Sequence, residues 1–118
     1  MQMDAFLEER ARRMARDLAP VLGESYPSLL EQWGGPGFEA FIVAQVRHAA
    51  TLGFDREGDA AKYVNVACAL GSGFERLARY PWAPKILASS SLTASGKAER
   101  LTYWARRELA ASAQAEPS

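Results

Sequence analysis

From Ala60 to Leu70 almost every residue is apolar, and the two polar ones, Lys62 and Asn65, share one narrow strip of a helix. Nothing else in the chain constrains the fold as strongly. A helix that is apolar nearly all round cannot face water, so it belongs at the centre of a bundle with neighbours on most sides. The remaining segments must then supply the covering helices. Helix formers dominate them, period-two alternation is absent, and β-branched residues are few and scattered. The expected fold is therefore all-α, a compact bundle of about four main helices plus short ones.

The covering helices can be read in order. Met3, Leu7, Ala11, Met14 and Leu18 form one stripe at roughly 100° per residue, predicting a first helix from about Met3 to Leu18. Glu8, Glu9, Arg12, Arg13 and Arg16 take its solvated side, with Glu8–Arg12 and Glu9–Arg13 spaced for helix pairs. Pro20 is expected to disturb the helix end. A short helical piece, Ser28 to Trp33, precedes the breaker run Trp33-Gly34-Gly35-Pro36-Gly37. The second helix spans roughly Gly37 to Leu52, with Phe38, Phe41, Ile42, Val46, Ala49 and Leu52 on one face and Gly53 as its left-handed terminator. Asp55 is the expected cap of the third helix, with Glu57 and Asp59 in the first turn, where the dipole favours anions. Gly71-Ser72-Gly73 breaks that helix, and Phe74 to Tyr80 form a connector. Pro81 opens a short helix carrying Trp82, Ile86 and Leu87. The last helix runs from about Ser95 to Ala111 and is expected to bury Ala98, Leu101, Trp104, Ala105 and Leu109. Residues 1–111 then make one helical domain, and 112–118 a flexible tail.

Composition narrows the function classes. Fourteen Lys and Arg balance fourteen Asp and Glu, so no net field draws the chain to nucleic acid or to an anionic membrane. No apolar run approaches the ~18 residues of a membrane span, and the charged N-terminus is unlike a signal peptide. A cytoplasmic protein is the expectation. Cys68 is the single cysteine and His48 the single histidine, too few for a metal site. A thiol inside the apolar third helix should be inert, and His48 should pack half-buried beside Phe41.

No cofactor motif survives inspection. Gly71-Ser72-Gly73 begins like a dinucleotide fingerprint, but Arg76 stands at the third glycine and no strand precedes it. Gly96-Lys97 suggests a phosphate loop, yet Ser91 and Ala98 occupy its other key positions. Glu57 and Asp59 diverge by about 200° around a helix, so they do not face each other for acid–base work. Gln45 and Glu108 interrupt apolar faces; an interhelical hydrogen bond is expected for the first and a frayed, solvated end for the second.

The C-terminal third concentrates aromatic residues: Phe74, Tyr80, Trp82, Tyr103 and Trp104. Tyr103 points away from the apolar stripe of its helix, beside Arg106 and Arg107. An outward tyrosine flanked by arginines has the composition of an interface hot spot. Trp33, in the glycine-rich turn, is the next candidate for partner binding.

Read from Leu52 to Leu87, the chain resembles a family of small helical proteins encoded beside the spike, PAAR-tip and toxin genes of bacterial type VI secretion clusters. Gly53 and Phe54 match that family's aromatic-Gly-Ile turn, Glu57 and Asp59 its acidic pair, and Tyr63 its tyrosine. Gly71 and Phe74 match a Gly-x-x-Phe-Asp step, in which Glu75 replaces the aspartate, and Pro81, Trp82, Ala83, Ile86 and Leu87 the block Pro-Trp-Ala-x-x-Ile-Leu. Glu99-Arg100-Leu101 fits the start of the family's last helix. Leu52, Glu75 and the stretch Arg76 to Tyr80 depart from the pattern. The resemblance implies a non-enzymatic accessory protein, an adaptor or chaperone for a secreted effector, PAAR-tip or spike protein, without cofactor. An immunity protein against a cytosolic toxin is the alternative, and a small enzyme the third. A second copy of the chain is a further candidate partner.

Overall fold

The structure is a computed structural model that describes the backbone of residues 2–115 and the side chains of residues 5–113. Five helices follow one another: α1 (Gln2–Ser25), α2 (Pro27–Thr51), α3 (Glu57–Leu70), α4 (Trp82–Ala88) and α5 (Ala94–Ala115), with a single 3₁₀ turn, Phe74–Arg76, between α3 and α4. There is no strand among the described residues. The all-α bundle is as expected, with α1, α2, α3 and α5 as the main helices.

α3 takes the centre because its sequence allows nothing else. It packs on α2 and α5 and also touches α1. Ala60, Tyr63, Val64, Val66, Ala67 and Cys68 are buried, while Lys62 and Asn65 emerge on the solvent strip. One apolar core joins all five helices, from Ala11 and Met14 through Phe38 and Ile42 to Ile86, Ala98 and Leu101.

α1 runs past the predicted end at Leu18 and contains Pro20. A proline removes one helical hydrogen bond, but burial of Leu22 and close packing of Gly23 hold the final turn. A Cβ on Gly23 would stand 3.1 Å from the Leu30 side chain. The helix-internal pairs expected for Glu8 and Arg13 give way to bridges between helices: Glu8 binds Arg47 of α2, and Arg13 binds Glu57 of α3. Met3 lies outside the described side chains.

α2 joins the two predicted pieces across a kink. Gly34, with φ 74° and ψ 166°, is the one non-helical residue inside it, a conformation that strongly favours glycine. At its other end, Gly53 has φ 95° and donates to the Ala50 carbonyl at 3.1 Å, while the Phe54 amide reaches Ala49 at 3.1 Å. This paired closure is the Schellman arrangement, and it turns Phe54 into the core at 1% exposure.

Asp55 does not cap α3. Arg56 occupies that position and no side chain closes the end. Gly71 to Gly73 break the helix as expected, and Pro81, with φ −65°, precedes the first residue of α4. α5 extends to Ala115, so residues 112–115 of the predicted tail are helical and 116–118 lie outside the described residues. Leu109, expected in the core, is 44% exposed and lies at the edge of a crevice lined also by Tyr26 and Asn65. No helix among the described residues is long and apolar enough to cross a membrane.

Candidate protein-docking face and a histidine–carboxylate clamp

α5 buries Ala98, Leu101 and Ala105 against α3, which turns Tyr103 outward at 52% exposure. One helical turn on, Arg107 lies over its ring, 5.8 Å from the centroid, and donates to the Tyr103 hydroxyl at 3.2 Å. The same guanidinium sits 5.5 Å from the Trp104 ring. Exposed cation–π contacts contribute about 0.5–1 kcal/mol each. Tyr103 meets Trp104 edge-on at 5.8 Å, and Trp104 stacks on Trp82 at 6.0 Å. Trp82 in turn donates its indole N–H to Glu108 at 3.1 Å. Glu108 is therefore half-buried and paired, not frayed and solvated as expected.

The exposed tyrosine is thus connected to the core by a line of rings: Trp104, Trp82, then Phe74 at 6.5 Å and Tyr63 at 5.3 Å beyond it. A side chain held in this way has already lost much of the rotamer freedom that binding would otherwise remove. Arg106 does not share the patch. It lines a small crevice between α3 and α5 with Tyr26, Asn65 and Leu109. Trp33 sits elsewhere, on α2 against Phe41 at 5.7 Å. Of the four residues singled out for partner binding, the structure brings together Tyr103 and Arg107 alone.

The acidic pair divides as its spacing requires. Glu57 reaches back to α1, where Arg13 binds it and Arg10 Nε approaches to 4.0 Å. Asp59, buried at 6% exposure, accepts a hydrogen bond of 2.7 Å from the Ser95 hydroxyl at the start of α5. Gly53, Tyr63, Gly71, Phe74, Pro81 and Trp82 are likewise structural: they end helices, fill the core or start α4.

A second cluster was not visible in the sequence. His48 Nε2 is hydrogen-bonded to the Glu75 carboxylate, and the Tyr63 hydroxyl donates to the same group at 3.1 Å. One turn earlier on α2, Gln45 donates to the Ser72 hydroxyl at 2.9 Å, so its partner lies in the turn after α3 rather than on a helix. Both contacts span 27 residues. Gln45 and His48 therefore grip the segment between α3 and α4 in one register. The available signal was this i, i+3 polar pair beside the apolar face of α2.

Burial pushes the Glu75 carboxyl up, but the hydrogen bonds from His48, its own backbone amide and Tyr63, with the His48 charge, hold it below the usual carboxylate range. Burial, reinforced by Glu75, raises the Tyr63 hydroxyl far above its ordinary value, making it a donor and a poor nucleophile. Burial also pushes the Cys68 thiol up to about 12. A carboxylate-held imidazole could serve as a base, but the groups it touches here are the structural ones of the clamp. No group of three or more metal-ligating side chains is assembled among the described residues.

The depressed Glu75 carboxyl ties stability to pH in one direction. Its contribution is fully present above the unfolded value near 4.5 and is lost as pH falls through the lower folded value. Urea denaturation at pH 7, 5 and 3.5 should show the parent losing stability more steeply than Glu75→Gln. Parallel profiles would remove the clamp from the account of acid sensitivity.

Fold and surface together define a small all-α protein whose best-organised exposed feature is an aromatic–arginine face on its last helix. Comparison with protein-family models, curated proteins and solved structures finds no match to this chain.

Proposed function

We propose that the protein is a non-enzymatic adaptor or chaperone that grips a protein partner with the Tyr103–Arg107 face of α5. The observation that carries this reading is Tyr103 itself, half-exposed yet fixed by Arg107 and braced on Trp104. Tyrosine, tryptophan and arginine dominate interface hot spots. The balanced charge of the chain favours a compact contact over long-range electrostatic capture. In the setting implied by the resemblance to type VI secretion accessory proteins, the partner is a secreted effector, PAAR-tip or spike protein, met in the cytoplasm.

The test is affinity capture of the tagged protein from its native host, with mass spectrometry of what co-purifies, followed by calorimetric titration against the partner found. Tyr103→Ala combined with Arg107→Ala should weaken binding at least tenfold, about 1.4 kcal/mol, with thermal stability nearly unchanged. Unchanged affinity would eliminate this face. Deleting the gene then separates roles: loss of effector secretion supports loading, and self-intoxication would replace the adaptor by an immunity protein.

A further inference from the structure

At Trp82 the line of rings that starts from Tyr103 forks. One branch runs through Phe74 into the core. The other reaches Tyr80, 5.8 Å away, and ends there at the surface, where the exposed Arg79 guanidinium lies over the Tyr80 ring, 5.2 Å from its centroid. Tyr103, Trp104, Trp82 and Tyr80 therefore form an aromatic strip from α5 to the connector before α4. An arginine stands at each end, Arg107 on α5 and Arg79 on the connector. Tyr103 is exposed, Trp104 and Trp82 are half-buried, and Tyr80 is buried beneath Arg79.

The charges around this strip do not balance. Arg100 stands one turn before Tyr103 on the exposed side of α5. Among the described residues, no carboxylate forms an ion pair with Arg79, Arg100 or Arg107. Of the two glutamates on α5, Glu99 faces Lys62 at 3.8 Å, and Glu108 accepts the Trp82 indole N–H. Glu108 does border the strip, and its one negative charge is set against three guanidiniums. Guanidinium matches carboxylate with two parallel hydrogen bonds, and half-exposed ring faces accept an apolar group. Nucleic acid fits the surface less well, because it is held by many phosphate contacts from a basic field and this chain has no net charge.

We propose that the protein partner meets this strip with an acidic segment in which carboxylates bracket an apolar side chain. The apolar group lies on Trp104 and Trp82, and the carboxylates pair with Arg100 and Arg107 at one end and with Arg79 at the other. This rests on the reading of the α5 face as the docking surface and extends that face onto the connector. The pairing acts at contact range only, since physiological salt screens charges beyond about 8 Å.

Calorimetric titration of the full chain with two blocked peptides tests it: Glu-Glu-Ser-Leu-Phe-Leu-Ser-Glu-Glu, and the same sequence with Gln at every Glu. The acidic peptide should bind at least tenfold more tightly, about 1.4 kcal/mol, and high salt should narrow that margin. Arg79→Gln combined with Arg100→Gln should remove most of it, whereas Arg79→Lys with Arg100→Lys should keep much of it. Both arginines are exposed, so these variants should melt with the parent. Titration of the captured partner separates this proposal from the reading it rests on. Affinity lost in Tyr103→Ala with Arg107→Ala but intact in Arg79→Gln with Arg100→Gln would leave the α5 face standing and overturn the acidic segment; affinity intact in both would remove the face itself. The comparison of the two peptides on the parent needs no variant to fold. Equal affinities for the peptides, no binding of the acidic one, or tighter binding of an oligothymidylate of the same length would each overturn the proposal.

Discussion

Replacing Tyr63 by alanine should destabilise the fold by about 3–5 kcal/mol, the range for a fully buried aromatic residue. In a chain of this size that lowers Tm by roughly 10–20 °C. Tyr63 is 0% exposed at the middle of the central helix. Its ring meets Phe54 at 5.8 Å, Phe74 at 5.3 Å and His48 at 5.9 Å, so one side chain joins the end of α2 to the 3₁₀ turn. Its hydroxyl is also one of the donors holding Glu75. Tyr63→Phe isolates that bond and should cost only about 0.5–1.5 kcal/mol. Urea denaturation of both variants gives the comparison. If the phenylalanine variant lost as much as the alanine one, the hydroxyl rather than the ring would be the chief contributor.

Trp82→Ala should cost about 3 kcal/mol, at the low end for large aromatic residues because the side chain is only half-buried. Trp82 meets Trp104 and Glu108 of α5, with Phe74 and Tyr80 before it. Loss of the indole therefore unseats Trp104, the ring on which Tyr103 rests. The variant should bind the partner more weakly as well as melt earlier, whereas Tyr103→Ala should affect binding alone. Melting within a degree or two of the parent would show that the stack contributes little to the fold.

Helix positions were legible because each main helix carries its own period, and α3 declared its place by lacking a polar face. The kink at Gly34 and the closure at Gly53 were legible for the same local reason: these backbones need glycine. What escaped was everything decided between elements. Pro20 looked like a terminator, but packing of Leu22 and Gly23 outweighed the lost hydrogen bond. Glu8 and Arg13 had good partners one turn away and took others across the bundle. Asp55 had the right chemistry for a cap, and Arg56 took the position. Glu75 stood out only as a departure from the family pattern, and it is the turn after α3 that brings it to His48. Of the candidates for partner binding, Tyr103 and Arg107 are i, i+4 neighbours on one helix and so could be paired from spacing. Trp33 and Arg106 could be placed only by the fold.

The order in which the helices meet has a kinetic consequence. α1 packs on α2, α2 on α3, and α4 on α5, all between neighbours along the chain. One major contact spans more: α5 returns to α3, as in the Asp59–Ser95 bond across 36 residues. Closure entropy grows only logarithmically with loop length, and helical bundles dominated by local contacts fold in microseconds to milliseconds. The rate-limiting encounter should therefore be the docking of α5 onto α3. Substitutions at Ala98 or Leu101 should slow refolding, and so should those between α1 and α2, whose contact already stands when α5 docks. Until α5 has docked, the apolar surface of the central helix stands open on that side, and the nascent chain is most exposed to association before its last helix is made.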